Sequence, residues 1–333
     1  MSNKVATIYD VASLSGVSPA TVSRVLNDPS HVKEEKRQKV LQAIKELNFV
    51  PKADAVAAAR KLYKKIAVIA PFFTQPAFMQ RLRGIESVLS QEHFEIVIYS
   101  ILSAEDLRDY ISTLSVNNRV DGLIILSLKP EEESLALLKE ANFPVCFVEG
   151  DTEEFDNVLI NNRLGGYKAA EYLYKKGCRK PGFIGEDAFL SYTIPATKDR
   201  LQGYKEYFDT VGITVEDKNV WLGEFTKSKL DESINTFLDQ GDLPDCVFCS
   251  SDLNASRFIS ICLERGIAVD KQIKVLGFDN IEISSYIGLS SVSQSLDETG
   301  KMAANFILNR LQSPDRDPFS VNAPVKVIER MTA

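Results

Sequence analysis

Thr7-Ile8-Tyr9-Asp10-Val11-Ala12-Ser13-Leu14-Ser15-Gly16-Val17-Ser18-Pro19-Ala20-Thr21-Val22-Ser23-Arg24-Val25-Leu26-Asn27 reads as two short helices joined by a tight turn. Thr7 and Asp10 have the spacing of a capping box, in which hydroxyl and carboxylate satisfy each other's backbone amides, ahead of the apolar Val11 and Leu14. Ser15-Gly16-Val17 supplies the turn, since glycine enters the left-handed backbone region at little steric cost. Ser18 then serves as an N-cap with Pro19 at the first helical position, opening a second helix from Ala20 to Asn27. A third helix is expected from about Val32 to Leu47, with Val40, Ile44 and Leu47 on one face and lysines and glutamates on the other. Two helices about a three-residue glycine turn make a helix-turn-helix, whose second helix enters the DNA major groove by its N-terminal end. A plain three-helix bundle would show the same periodicity, so charge has to separate the two readings.

The charge separates them. The chain of 333 residues carries a net −7, but Met1 to Lys65 holds 12 Lys and Arg against 6 Asp and Glu, a net of +6, while Ile66 to Ala333 holds 27 against 40, a net of −13. A basic first segment on an acidic remainder is the footprint of a polyanionic partner for that segment alone. Nothing near Met1 has the form of a secretory signal, and no apolar run approaches the roughly 20 residues that span a bilayer, so a cytoplasmic protein without membrane partners is expected. The five cysteines, Cys146, Cys178, Cys246, Cys249 and Cys262, are an odd number in such a chain, and free thiols are expected instead of disulfides. Cys246 and Cys249 have CxxC spacing, but a strand through Cys-Val-Phe-Cys would point the two thiols to opposite faces, which favours burial over metal binding or redox work.

The length calls for a small domain and a large one. After Asn48-Phe49-Val50-Pro51 an alanine-rich stretch, Ala53 to Arg60, reads as a short helix or linker. The division expected is therefore 1–50 as a helix-turn-helix domain, 51–64 as a hinge and 65–333 as the core. From Ile66 onward, strand-like apolar runs (66–70, 95–100, 122–126, 145–148) alternate with amphipathic stretches (78–90, 107–115, 132–140), and the alternation resumes after Val158-Leu159-Ile160 with strands near 181–185, 246–249 and 274–278. Such alternation predicts an α/β fold of parallel sheets covered by helices on both faces, with two sheets favoured over one of so many strands. There is neither a Walker loop nor a G-x-G-x-x-G, so nucleotide binding by those routes is not indicated and no cofactor is expected.

The residues from Thr7 to Asn27 resemble the N-terminal signature of the lactose/galactose repressor (LacI/GalR) family, and the resemblance continues through His31-Val32, Val40 and Glu46-Leu47-Asn48-Phe49-Val50-Pro51. It implies a small all-α head followed by a two-lobed core, like that of periplasmic sugar-binding proteins, made of two doubly wound parallel sheets. Lobe 1 would take about 65–160 and 291–322, and lobe 2 about 161–290 and 323–333. Carried over residue by residue, Pro19 and Ala20 face base edges, Ser18, Thr21, Ser23, Arg24, Asn27 and His31 lie at phosphates or bases, and Thr7 and Tyr9 grip the backbone. Hydroxyls and helix N-termini donate to phosphates, and an arginine can bridge guanine acceptors. Pro19 and Ala20 offer only apolar contact, which leaves specificity to Arg24 and to DNA shape. The hinge departs from the family: Ala58 stands where relatives place a leucine that wedges into the minor groove, which predicts weaker bending or a wedge from Val56 or Leu62.

In the core the resemblance assigns effector binding to Arg200, Asp279 and Asp252, and by looser alignment to Phe78, Glu149, Phe225 and Gln294. Carboxylates, a guanidinium and aromatic faces suit a sugar or sugar phosphate. Helix N-capping is the competing role for each aspartate. The function implied is a homodimeric DNA-binding regulator on a pseudo-palindromic operator, a repressor of carbohydrate-metabolism genes controlled by that effector. The alternative is a global catabolite-control regulator with a phosphorylated carrier protein as corepressor. The chain stops soon after its last strand with no heptad tail, which predicts a dimer and not a tetramer. An enzyme is not expected: Asp252 and Asp279 could be imagined as a glycosidase pair, but only two histidines exist and no nucleophile–base arrangement accompanies them. A pure sugar receptor would fit the core, and the helix-turn-helix argues against it.

Overall fold

The computed structural model describes residues 7–27, 32–47, 49, 63–117, 119–150, 152–186, 190–223 and 227–333. The head consists of α1 (Ile8–Ser15), α2 (Pro19–Asn27) and α3 (Glu34–Glu46). Gly16, at φ +66°, closes α1, and its amide returns to the Ala12 carbonyl. Val11, Ala12, Val22, Val25, Val40 and Ala43 form a separate core for these three helices. Leu14, apolar like Val11, is 51% exposed. The inner face of α1 runs through Val11, Ala12 and Ser15, and Leu14 lies beyond its edge.

The first lobe alternates β1 (Lys65–Pro71), α4 (Pro76–Leu89), β2 (Glu95–Ile101), α5 (Ala104–Asn117), β3 (Gly122–Leu126), α6 (Glu132–Glu140), β4 (Val145–Val148) and β5 (Asp156–Ile160). The second follows with α7 (Asn162–Lys175), β6 (Pro181–Glu186), α8 (Ala196–Thr210), β7 (Val220–Gly223), α9 (Lys227–Leu238), β8 (Cys246–Cys249), α10 (Asp252–Glu264), β9 (Lys274–Asp279), α11 (Glu282–Tyr286) and β10 (Ser290–Ser293). The chain then returns through α12 (Leu296–Gln312) and β11 (Ser320–Ala323) before β12 (Lys326–Ile328). Two six-stranded sheets result, β2-β1-β3-β4-β5-β11 and β7-β6-β8-β9-β10-β12. All pairings are parallel except that of β10 with β12. Strand β10 belongs to the second sheet, so the chain returns to the first lobe after Ser293, slightly beyond the expected point.

Burial on both faces explains the continuous apolar runs. In β1, Ile66, Val68 and Ala70 pack toward α4 and α12 while Ala67 and Ile69 face the opposite cluster. In β8, Cys246 and Phe248 face one cluster and Val247 and Cys249 the other, so the CxxC thiols do point apart. The expectation of five free thiols is corrected, because Cys178 and Cys246 form a disulfide. Their Cα atoms are 5.9 Å apart although 68 residues separate them in sequence. The pairing of Pro181 with Cys246 at the start of β6 and β8 brings them together, which spacing along the chain does not reveal. Cys146, Cys249 and Cys262 are free and buried. No helix among the described residues is long and apolar enough to cross a membrane.

One helix pair in each lobe packs backbone against backbone. A Cβ on Gly300 would collide with the Arg81 carbonyl and one on Gly84 with the Asp297 carbonyl, which holds α4 and α12 together at main-chain contact. In the second lobe Gly166 stands against the Arg200 carbonyl and Gly203 against the Arg163 carbonyl, joining α7 to α8. Gly203→Ala is expected to destabilise the core by about 1–3 kcal/mol through overpacking. A thermal midpoint unchanged from that of the parent would show that these helices can separate freely.

Candidate functional site

The head buries one side of α2 and leaves the other exposed. Thr7 caps α1: its amide and hydroxyl donate to Asp10 Oδ2 at 2.7 and 2.6 Å, and its Oγ1 accepts from the Asp10 amide. Ser18 Oγ accepts from the Thr21 amide at 3.2 Å and lies 2.9 Å from Thr21 Oγ1, so the N-terminus of α2 is capped while Pro19 needs no partner for an N–H. Thr7, Tyr9, Ser18, Ala20 and Arg24 are exposed, and Pro19, Thr21 and Ser23 are half-buried. With Val22 and Val25 turned into the core, Ala20, Thr21 and Arg24 share the outer face of α2 at helical spacing. Asn27 ends that helix, and its side chain, like His31 and Ala58, lies outside the described residues.

The core carries a cleft of about 630 Å³, within the range of small-molecule pockets. It opens at the C-terminal ends of the strands. Both sheets run in the order 2-1-3-4-5, and in such sheets ligands bind beyond the strand ends where the order reverses. Of the effector residues expected from sequence, Phe78, Glu149, Arg200, Asp279 and Gln294 line this cleft. Phe225 lies outside the described residues. Asp252 is not part of the lining. It is fully buried, its Oδ2 accepting from the Ile281 amide at 2.9 Å and from Ser284 at 2.7 Å, its Oδ1 from Ser291 at 2.6 Å. Asp252 thus ties α10 to the turn after β9 and to β10, and the helix cap that competed for this aspartate is Ser251.

Six side chains close into a ring across the cleft floor. Arg81 donates to Glu149 at 3.3 Å and to Gln294 at 3.0 Å; Gln294 donates to Asp279 at 2.6 Å; Asp279 lies 3.9 Å from Arg200; Arg200 donates to Asn162 at 2.9 Å; and Asn162 donates to Glu149 at 3.3 Å. Asn162 and Gln294 stand where the chain crosses between the two sheets, so the ring runs through two of the crossovers that join the lobes. Ser127 adds a bond from its hydroxyl to Glu149, and the Arg200 guanidinium also donates to the Ser250 carbonyl at 2.6 Å while stacking 3.7 Å above the Phe278 ring.

Burial works against the Glu149 charge, but Arg81, Arg200, Ser127 and Asn162 together outweigh it and hold the carboxyl below its ordinary range. Asp279 goes the other way: burial raises it and Arg200 only partly compensates. The backbone here is strained, with Ser127, Glu149 and Asp279 at φ +52°, +60° and +111° although none is glycine.

Arg81, Ser127, Asn162, Ser250 and Glu186 were not among the residues expected from sequence. Arg81 had a signal, a lone charge on the face of α4 that otherwise carries Phe78, Leu82 and Ile85. Ser127, Ser250 and Glu186 follow or close buried strands, the places where an open α/β sheet offers side chains to a ligand.

Comparison with known proteins agrees with both parts. Residues 7–52 match the family model described as bacterial regulatory proteins, lacI family, and residues 170–333 match a periplasmic binding protein-like domain. The HTH-type transcriptional repressor PurR of Glaesserella parasuis serovar 5 (strain SH0165) is 30% identical over 329 residues, which cover 97% of this chain and 95% of the relative. Among solved structures, the lac repressor dimer bound to operator and the anti-inducer ONPF is 25% identical with a TM-score of 0.79, covering 99% of each chain. The transcriptional regulator CelR in complex with cellobiose is 26% identical with a TM-score of 0.70, covering 98% of this chain and 100% of that one. Likeness over the whole length of both chains takes in the core as well as the head, and the protein belongs to the lacI family of bacterial regulatory proteins as a transcriptional regulator.

Proposed function

We propose that the protein is a homodimeric repressor of carbohydrate-metabolism genes, holding a pseudo-palindromic operator in double-stranded DNA with its paired heads and released by a sugar-like effector in the cleft. The observation that carries this is the polar ring on the cleft floor, which draws on both lobes and on two of the crossovers between them. A ligand that bonds to Asp279 and Arg200 from one side and meets Phe78 from the other gains contacts only when the lobes approach, and so favours the closed state by its differential affinity. Closure alters how two first lobes meet in the dimer, and the linkers leading to the heads separate. The solved lac repressor is a dimer on operator and the solved CelR holds cellobiose; both support this reading.

A gel shift with and without a panel of sugars tests it. Release by a sugar is the expected result, while indifference to every sugar combined with tightening by a phosphorylated carrier protein would favour the catabolite-control alternative. Asp279→Ala is expected to hold DNA as the parent does but to need about 10–100-fold more effector for release, the loss of a hydrogen bond to a charged group. Unchanged induction would remove Asp279 from the site.

A further inference from the structure

Glu186 closes β6 and lies on the cleft wall. Its carboxylate differs from the other acids around the cleft. Glu149 accepts from Arg81, Ser127 and Asn162, and Asp279 accepts from Gln294 beside Arg200. Glu186 accepts no hydrogen bond from the described residues; burial pushes its carboxyl up to about 7, and Arg200 only partly opposes this. Among the described residues every guanidinium nitrogen of the two arginines is engaged except Nη2 of Arg200. Arg81 donates from Nε to Thr299, from Nη1 to Ser127 and Glu149, and from Nη2 to Gln294, while Arg200 donates from Nε to Asn162 and from Nη1 to the Ser250 carbonyl. The remaining cation of the lining, Lys198, stands exposed at the rim, where water weakens its attraction. The wall therefore offers an incoming ligand a half-buried acceptor without a donor, and few spare cationic donors.

We propose that Glu186 is a specificity-determining residue of this cleft, accepting hydrogen bonds from an effector that brings donors and no negative charge, an uncharged polyol or its amino derivative, and disfavouring the phosphorylated or carboxylated form. The inference rests on the reading of the cleft as the effector site. A hydroxyl or ammonium placed against Glu186 supplies the partner it lacks and favours its ionised state, and the ammonium does so by a charge-assisted bond. A phosphate brings close to two further negative charges to a half-buried carboxylate, with Arg81 committed elsewhere and Nη2 of Arg200 the one guanidinium nitrogen left to meet it. Phe72, Phe78, Ile194 and Leu222 give the same cleft apolar surface for the carbon-bound face of a sugar ring.

Isothermal titration of the full-length protein with matched triplets tests this: glucose, glucosamine and glucose 6-phosphate; galactose, galactosamine and galactose 6-phosphate; and the corresponding mannose set. In each triplet that binds, the phosphate is expected to be at least tenfold weaker than the parent sugar and the amino sugar equal or tighter. Glu186→Gln should weaken the amino sugar about tenfold and shrink the penalty on the phosphate to about threefold or less, with Glu186→Asp falling between. A triplet whose phosphate binds most tightly, or affinity ratios untouched by Glu186→Gln, would overturn the proposal. If Asp279→Ala weakens binding about 10–100-fold while Glu186→Gln leaves the ratios as they were, the effector site stands and the role of Glu186 alone falls. Binding of no triplet would overturn the sugar reading and this inference with it.

Discussion

Replacing Arg24 by alanine is expected to abolish specific operator binding while leaving effector binding to the core intact. Arg24 is exposed on the face of α2 that also carries Ala20 and Thr21, opposite the buried Val22 and Val25. Ala20 and Pro19 bring no hydrogen-bonding side chain to a base edge, so a guanidinium able to reach two guanine acceptors holds most of the direct discrimination available to this helix. One such contact is worth about 1–3 kcal/mol, and a dimer loses it twice, so the preference for operator over random DNA should fall by roughly two to four orders of magnitude. A gel shift against operator and scrambled DNA at fixed salt measures the ratio. Because the contact reads a base, binding to the scrambled duplex should change far less. Equal loss on both sequences would make Arg24 a phosphate contact, and no loss on either would refute its assignment to the interface.

The second large effect lies in the cleft floor. The side chains of Arg81 and Glu149 are 3% and 7% exposed, and Arg81 is also the donor to Ser127, Thr299 and Gln294. Arg81→Ala leaves a buried carboxylate without its strongest counter-charge and breaks the ring at its first-lobe corner. Removing one partner of a buried ion pair costs about 3–5 kcal/mol. For a core of this size that lowers the thermal midpoint by on the order of 10 °C. The penalty belongs to the stranded charge and not to the loss of attraction, so the pair Arg81→Met with Glu149→Gln should recover more than half of the stability. Scanning calorimetry of the three variants separates the two causes: a double variant no better than the single one would mean that Arg81 matters for packing alone.

Local chemistry made the head legible. Thr7 with Asp10 and Ser18 with Pro19 mark helix starts within four residues, and Gly16 marks the stop between them. The large lobes were legible because strands buried on both faces must be apolar throughout, as Gly122–Leu126 and Val145–Val148 are. Ser290–Ser293 is buried too but has one apolar residue in four, Ser291 donating to Asp252, Ser290 to the Ala333 carbonyl and Ser293 accepting from the Ser295 amide, so β10 left no trace in hydropathy. The same limit applies to the site. Phe78, Glu149, Arg200, Asp279 and Gln294 could be placed by family resemblance, whereas Asn162, Ser127 and Ser250 act through contacts between residues far apart in the chain. Asp252 shows the converse, a residue in a ligand's sequence position whose oxygens are all taken by the fold. Cys178 and Cys246 are neighbours only because β6 and β8 are.

The glycines that let α4 meet α12 and α7 meet α8 have a bearing on how a bound molecule is felt. Arg81 and Arg200, one from each lobe, both have their own carbonyl pressed against a glycine of the facing helix. Each arginine is therefore rooted in a pair of helices in main-chain contact, so a ligand that shifts the backbone of either one meets the resistance of two helices instead of one.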